Sequence, residues 1–165
     1  EGDGVHYPFT SEPECQELVD SDGLLEWATV FKNSYGTPRA TIETALDEGR
    51  DVLFDIDWQG TQQLRQKMPQ DLVSVFVLPP SLAALESRLK SRQTMTDETD
   101  DQVAYRLSKA PGEVSHWAEY DFIIVNSTID ESVEQVRAIL AAERLRRERW
   151  KGLDQIVSDI RSIEN

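Results

Sequence analysis

Asp51-Val-Leu-Phe-Asp-Ile-Asp-Trp-Gln-Gly60 is an apolar, β-favouring run that leads into acidic residues and stops at a glycine. A Gly49-Arg50 break precedes it, so Val52 to Asp55 is expected to form a short buried parallel strand. Residues two apart share a strand face, which points Asp55 and Asp57 the same way from its exit. In an open α/β sheet the ligand crevice lies outside the carboxyl ends of the strands, so this is a site-like placement. Aspartate also ends strands and caps helices for purely local reasons, and that reading stays open beside the first.

Downstream, Gly60 to Met68 has helical character and ends at Pro69, and Asp71 to Leu78 reads as a second apolar strand closed by Pro79-Pro80. Ser81 caps a helix through Lys90, with Leu82, Leu85 and Leu89 on its buried stripe and Arg88 and Arg92 one turn apart on another face. Gln93 to Gln102 carries almost no apolar side chains and should be exposed. Helix resumes from about Asp101 to His116, broken or kinked at Pro111-Gly112. Tyr120 to Val125 is a third buried strand with Asn126 at its exit, and Glu131 to Trp150 a long helix with a helical tail to Ile163.

Upstream, Thr37 is an N-cap followed by Pro38, which places a helix over Ala40 to Glu48. Asn33 to Arg39 is a turn by composition, and Leu24 to Phe31 a strand with Glu26 on the face opposite Leu25 and Trp27. Ser11 and Glu14 stand at capping-box spacing before a short helix over Cys15 to Val19, and Tyr7 and Phe9 stand at strand spacing. Strands separated by helices give an α/β fold with a parallel, helix-covered sheet. Asp55, Asp57, Pro79 and Asn126 then share its carboxyl-terminal edge.

A length of 165 residues fits one domain with a sizeable core. The formal charge of −14 argues against nucleic acid as a partner, because phosphate backbones are held by clustered Lys and Arg. No apolar run of transmembrane length and no secretory leader is present, so no membrane partner is expected. The lone Cys15 has no internal disulfide partner, which fits a reducing, cytoplasmic location. Arg88, Arg92 and Arg106 gather in the middle of the chain, where they suit a small polyanion. Arg144, Arg146, Arg147 and Arg149 look like the solvated face of a helix; self-association through that helix is left open.

An ordered set of motifs resembles guanylate kinase of the bacterial type. It comprises Glu1-x-x-Gly-x-x-Tyr-x-Phe9, Leu25-Glu-Trp-Ala28, Tyr35-Gly-Thr37, Asp55-Ile-Asp-Trp-Gln-Gly60, Leu78-Pro-Pro-Ser81, Arg88 with Arg92, Tyr120-Asp121 and Val125-Asn126. The resemblance implies a P-loop-kinase-like sheet with a small GMP-binding lobe and a lid, and transfer of phosphate from ATP to GMP, giving ADP and GDP, with Mg2+. By position, residues 1–46 would be mostly the GMP-binding lobe, 47–87 core, 88–113 the lid region and flanking helices, and 114–165 core and C-terminal helices. Glu26 and Asp57 match positions that read the guanine edge, where a carboxylate accepts from the N1 and N2 donors. Tyr7 and Tyr35 match hydroxyls on the GMP phosphate, with Thr37 near the base; Glu1 and Asp55 match acidic positions on the GMP side. Arg88, Arg92 and Arg106 match the catalytic arginines of the lid and its hinge, which stabilise charge as phosphate is transferred. Asn126 matches a position beside the donor adenine, and Arg88 and Arg92 also face ATP.

The sequence departs from that pattern in containing no G-x-x-x-x-G-K-[ST] phosphate loop and no basic segment before Glu1. The first strand and the donor-phosphate loop are therefore expected to be absent, and residues 1–165 by themselves inactive. Lys32, Ser34, extra residues between Arg92 and Arg106, and Pro111-Gly112 are smaller departures. A domain that keeps the acceptor site without the donor loop also fits a second class, a catalytically dead guanylate-kinase-like module that binds GMP or a phosphopeptide.

Overall fold

The computed structural model describes residues 11–30, 33–94, 96, 99–150 and 152–162. It divides into two compact units, Glu1–Leu72 and Val73–Asn165.

The first unit opens with α1 (Glu12–Asp20), begun as expected by a capping box in which Ser11 and Glu14 satisfy each other's main-chain N–H groups. β1 (Leu24–Val30) pairs antiparallel with β2 (Asn33–Pro38). The turn composition over 33–39 is thus overridden by strand pairing. A bulge between Leu24 and Glu26 breaks the alternation, and Leu24, Leu25 and Glu26 are all buried. α2 (Arg39–Asp47) starts from Pro38 without a side-chain cap, because the expected cap, Thr37, gives its hydroxyl proton to Glu26. α3 (Trp58–Lys67) is capped by Asp57.

The run 51–57 is not a hydrogen-bonded strand. It stays extended, and Val52, Phe54 and Ile56 pack on a core of Leu25, Ile42 and Leu64 while Leu53 is 89% exposed. A strand needs a neighbour's N–H and C=O groups, and the described strands pair only as β1 with β2 and β3 with β4. Asp22, at positive φ (54°), ties the turn before β1 to two helices: Arg39 reaches it at 2.6 Å and Lys67 at 2.7 Å. The Lys67 hydrogen bond, aided by Arg39, holds the Asp22 carboxyl below the ordinary aspartate range.

In the second unit β3 (Val75–Leu78) and β4 (Phe122–Val125) pair in parallel, as the apolar runs predict. Two helices lie between them in the chain, α4 (Leu82–Gln93), capped by Ser81, and α5 (Asp100–Val114). Leu82 is exposed and does not join the buried stripe. α5 runs through Pro111 without a break, since its φ is helical and it removes only one bond; a Thr99/Gln102 capping box and buried Val103 anchor its start. Before the strands, buried Ser74 donates to Asp121 (Oγ to Oδ2, 2.7 Å), and Phe76 meets Tyr120 edge-on at 4.8 Å. α6 (Ile129–Arg144) ends earlier than the apolar pattern predicts, and a short 3-10 turn over Arg147–Arg149 leads to α7 (Leu153–Arg161). At this point Glu143 is buried in the last turn of α6, and Arg146 and Arg149 both reach its carboxylate, each at 3.4 Å. The arginine run is therefore partly an internal ion-pair cluster rather than a wholly solvated face. Among the described residues no helix is long and apolar enough to cross a membrane.

Candidate functional site

Glu26, Thr37 and Asp57 come together in the first unit. The bulge in β1 turns Glu26 inward, where only 6% of it remains exposed. Register sets Thr37 of β2 opposite it, and the Thr37 hydroxyl donates to Glu26 Oε1 at 2.6 Å. Asp57 stands at the amino end of α3, where its Oδ1 accepts from Gly60 N at 3.0 Å and its Oδ2 from Gln59 Nε2 at 3.0 Å. Asp57 thus holds the local role expected of an aspartate at this boundary. Burial pushes the Glu26 carboxyl up; the Thr37 hydrogen bond opposes this, and the charge of Asp57 adds to it. The result is an array of oxygen acceptors suited to a ligand edge that presents several N–H donors.

Gly60 makes the close approach possible. A Cβ built there would lie 2.9 Å from Glu26 Oε2 and 3.2 Å from Ile56 Cδ1. Gly60→Ala is expected to push the carboxylate aside and weaken ligand binding about tenfold, while the better helix propensity of Ala keeps stability within about 1 kcal/mol of the parent. Calorimetric titration and urea unfolding on the same sample read the two effects separately.

Tyr35 lies in β2, half-buried, with its Cα paired to Ala28. Asp55 is exposed and makes no hydrogen bond or ion pair among the described residues. Glu1 and Tyr7 lie outside the described residues. In the second unit Arg88 and Asn126 meet: the guanidinium donates to the Asn126 carbonyl at 2.8 Å and to its side-chain oxygen and the Ser127 carbonyl at 3.4 Å. Arg88 thereby holds the carboxyl end of β4, a structural duty beside any contact with ligand. Arg92 is exposed in the last turn of α4, and Arg106 is half-buried on α5.

Gln63 is a further contributor that periodicity does not single out. Its side chain bonds both main-chain groups of Trp27, the residue after Glu26. A glutamine inside a polar helix reads as surface until its partner strand is known.

The sequence profile of the family described as guanylate kinase matches residues 1–143. The chain belongs to the guanylate kinase family. A guanylate kinase of Nitrobacter winogradskyi is 54% identical over 160 residues, covering 97% of this chain and 72% of the relative. One from Bradyrhizobium diazoefficiens is 56% identical over 153 residues, covering 93% and 68%. Among solved structures, guanylate kinase from Anaplasma phagocytophilum superposes with a TM-score of 0.79 at 33% identity, over 96% of this chain and 76% of that one. Membership makes the protein an enzyme of the phosphotransferase class, and the α/β fold is that of a guanylate kinase.

Proposed function

We propose that the protein transfers the terminal phosphate of ATP to GMP, giving ADP and GDP. The observation that carries this is the buried Glu26 carboxylate, oriented by Thr37 and set beside Asp57. Guanine offers N–H donors at N1 and N2, whereas adenine has a bare acceptor at N1. Two carboxylates therefore favour guanine and leave adenine unpaired against buried charge. In the same reading Tyr35, with Tyr7, holds the acceptor phosphate, and Glu1 and Asp55 supply negative charge on the GMP side. Arg88, Arg92 and Arg106 supply positive charge at the transferred phosphoryl group, and Asn126 adjoins the donor adenine.

Mg2+ enters as part of the ATP substrate, carried on its phosphates, a mode that asks the protein for only one or two oxygens. The lobe, lid and core limits given above belong to this proposal, as do a place in purine nucleotide metabolism and a cytoplasmic setting. Residues 1–165 contain no G-x-x-x-x-G-K-[ST] cradle for the donor phosphates and on their own are expected to form no GDP.

The test is to incubate the whole protein with ATP, Mg2+ and either GMP or AMP and to separate nucleotides by ion-exchange chromatography. GDP and ADP in equal amounts, with AMP left unused, is the expected result. GMP binding by calorimetry without any GDP would replace the kinase reading with that of a binding module.

A further inference from the structure

Among the described residues, β1 is hydrogen-bonded to another strand, β2, along one edge only. On its other edge Trp27 turns its main-chain groups toward α3, its N–H donating to Gln63 Oε1 at 3.1 Å and its C=O accepting from Gln63 Nε2 at 2.8 Å. These are the two groups of one residue that a neighbouring strand would bond, and a primary amide presents the matching donor and acceptor together. The side chain stands in for a strand. Gln63 Nε2 also reaches the Gln59 carbonyl at 3.4 Å, which ties the amide back to its own helix.

The placement is what gives this clamp a consequence. Trp27 follows Glu26 directly, so the clamp fixes the peptide that carries the buried carboxylate. The clamping helix is the one that Asp57 caps and whose Gly60 leaves room for Glu26 Oε2. One helix thus delivers Asp57, Gly60 and Gln63 to one short length of β1. Lys67, a turn further on, fastens the far end of the same helix, with Nζ 2.7 Å from both the Leu24 carbonyl and Asp22 Oδ1.

We infer that Gln63 is a positioning residue for base selection: its amide holds β1 on α3 at the register that sets Glu26 beside Asp57, without itself touching the nucleotide. This rests on the guanine-reading role proposed for Glu26. Lys67 provides the comparison, since it joins the same two elements away from the carboxylates.

Dissociation constants for GMP and AMP are measured by calorimetric titration of the whole protein, together with melting temperature, for the parent, Gln63→Met and Lys67→Met. Methionine keeps the length of either side chain and removes its hydrogen bonds. Gln63→Met is expected to weaken GMP about tenfold and AMP hardly at all, so the GMP preference falls about tenfold. Lys67→Met is expected to lower the melting temperature at least as much while keeping the parent's preference. Should Gln63→Met not fold, Gln63→Glu, which retains the acceptor for the Trp27 N–H, carries the same comparison with a smaller loss. An unchanged preference in the Gln63 variant, or an equal loss in the Lys67 variant at the same melting temperature, overturns the positioning role. A parent that binds GMP and AMP alike overturns the role of Glu26 instead, and the two failures are told apart by that first titration.

Discussion

Arg92→Ala in the whole enzyme is expected to lower kcat about 1,000-fold, leaving the GMP dissociation constant within about twofold and the melting temperature nearly unchanged. Phosphoryl transfer asks for little covalent help and much charge stabilisation, because negative charge spreads over the oxygens of the group in flight. Both arginines of α4 are exposed. Arg88 is bound to the carbonyls of Asn126 and Ser127, so truncating it would disturb the end of β4 along with any catalytic contact. Arg92 is exposed in the last turn of the helix. There a cation gains a few tenths of a kcal/mol from the helix dipole. α4 packs on α5, which brings the helix bearing Arg92 against the helix bearing Arg106. Steady-state kinetics with GMP varied, read beside calorimetric GMP binding and a thermal melt, decide the matter. A variant that loses GMP affinity while kcat holds would remove Arg92 from the transition state.

The parts of this fold that were legible in the sequence are those whose cause is local. The Ser11/Glu14 box, the Ser81 cap and the apolar runs that became β3 and β4 depend on neighbours within a few residues. Three of the misreadings have a distant partner. Thr37 before Pro38 looks like a helix cap, but a buried carboxylate on the paired strand is the better acceptor, and the hydroxyl goes there. Asn33 to Pro38 has the composition of a turn, yet the free edge of β1 draws it into a strand. Val52 to Asp55 has the composition of a strand, and it remains extended without one because pairing is a property of two segments. The end of α6 is a local matter instead: the buried Glu143 holds Arg146 and Arg149, both close in sequence, where the apolar pattern would continue the helix.

For the site, the ordered motifs name residue types and approximate places, and they lie within the span that the family profile matches. What motifs do not convey is how a carboxylate comes to be buried and held. That takes a bulge in β1, a hydroxyl from β2, a glycine in α3 with no side chain to intrude, and the amide of Gln63. Asp57 illustrates the limit: strand periodicity placed it beside Asp55, but its cap on α3 and its charge on Glu26 depend on the helix that follows and on β1.

Glu26→Gln is expected to weaken GMP binding about 100-fold and, at neutral pH, to make the protein more stable by about 1 kcal/mol. The two effects have one origin. Burial raises the carboxyl's pKa in the folded state, aided by the charge of Asp57 and opposed by Thr37. A carboxyl whose pKa is higher folded than unfolded favours the fold while protonated. That advantage is complete below the unfolded value and is lost as pH rises through the folded one, so at neutral pH the ionised group weighs against folding. Glutamine keeps the shape, still accepts from the Thr37 hydroxyl and carries no charge to bury. Against guanine it fails, because it replaces a double acceptor with a group that is half donor, facing donors. The pH dependence separates this account from simple loss of shape. GMP affinity of the parent should fall as acid protonates Glu26, beginning at a higher pH than for an ordinary glutamate, while the variant stays flat over that interval. Urea unfolding midpoints should converge as pH falls, because the parent's penalty disappears with its charge. A variant no more stable than the parent at neutral pH would mean that the buried charge is already compensated. A variant that binds GMP as the parent does would mean that Glu26 does not read the base. The expected pair of results describes a residue held in its less stable form because that form is the one that recognises the substrate.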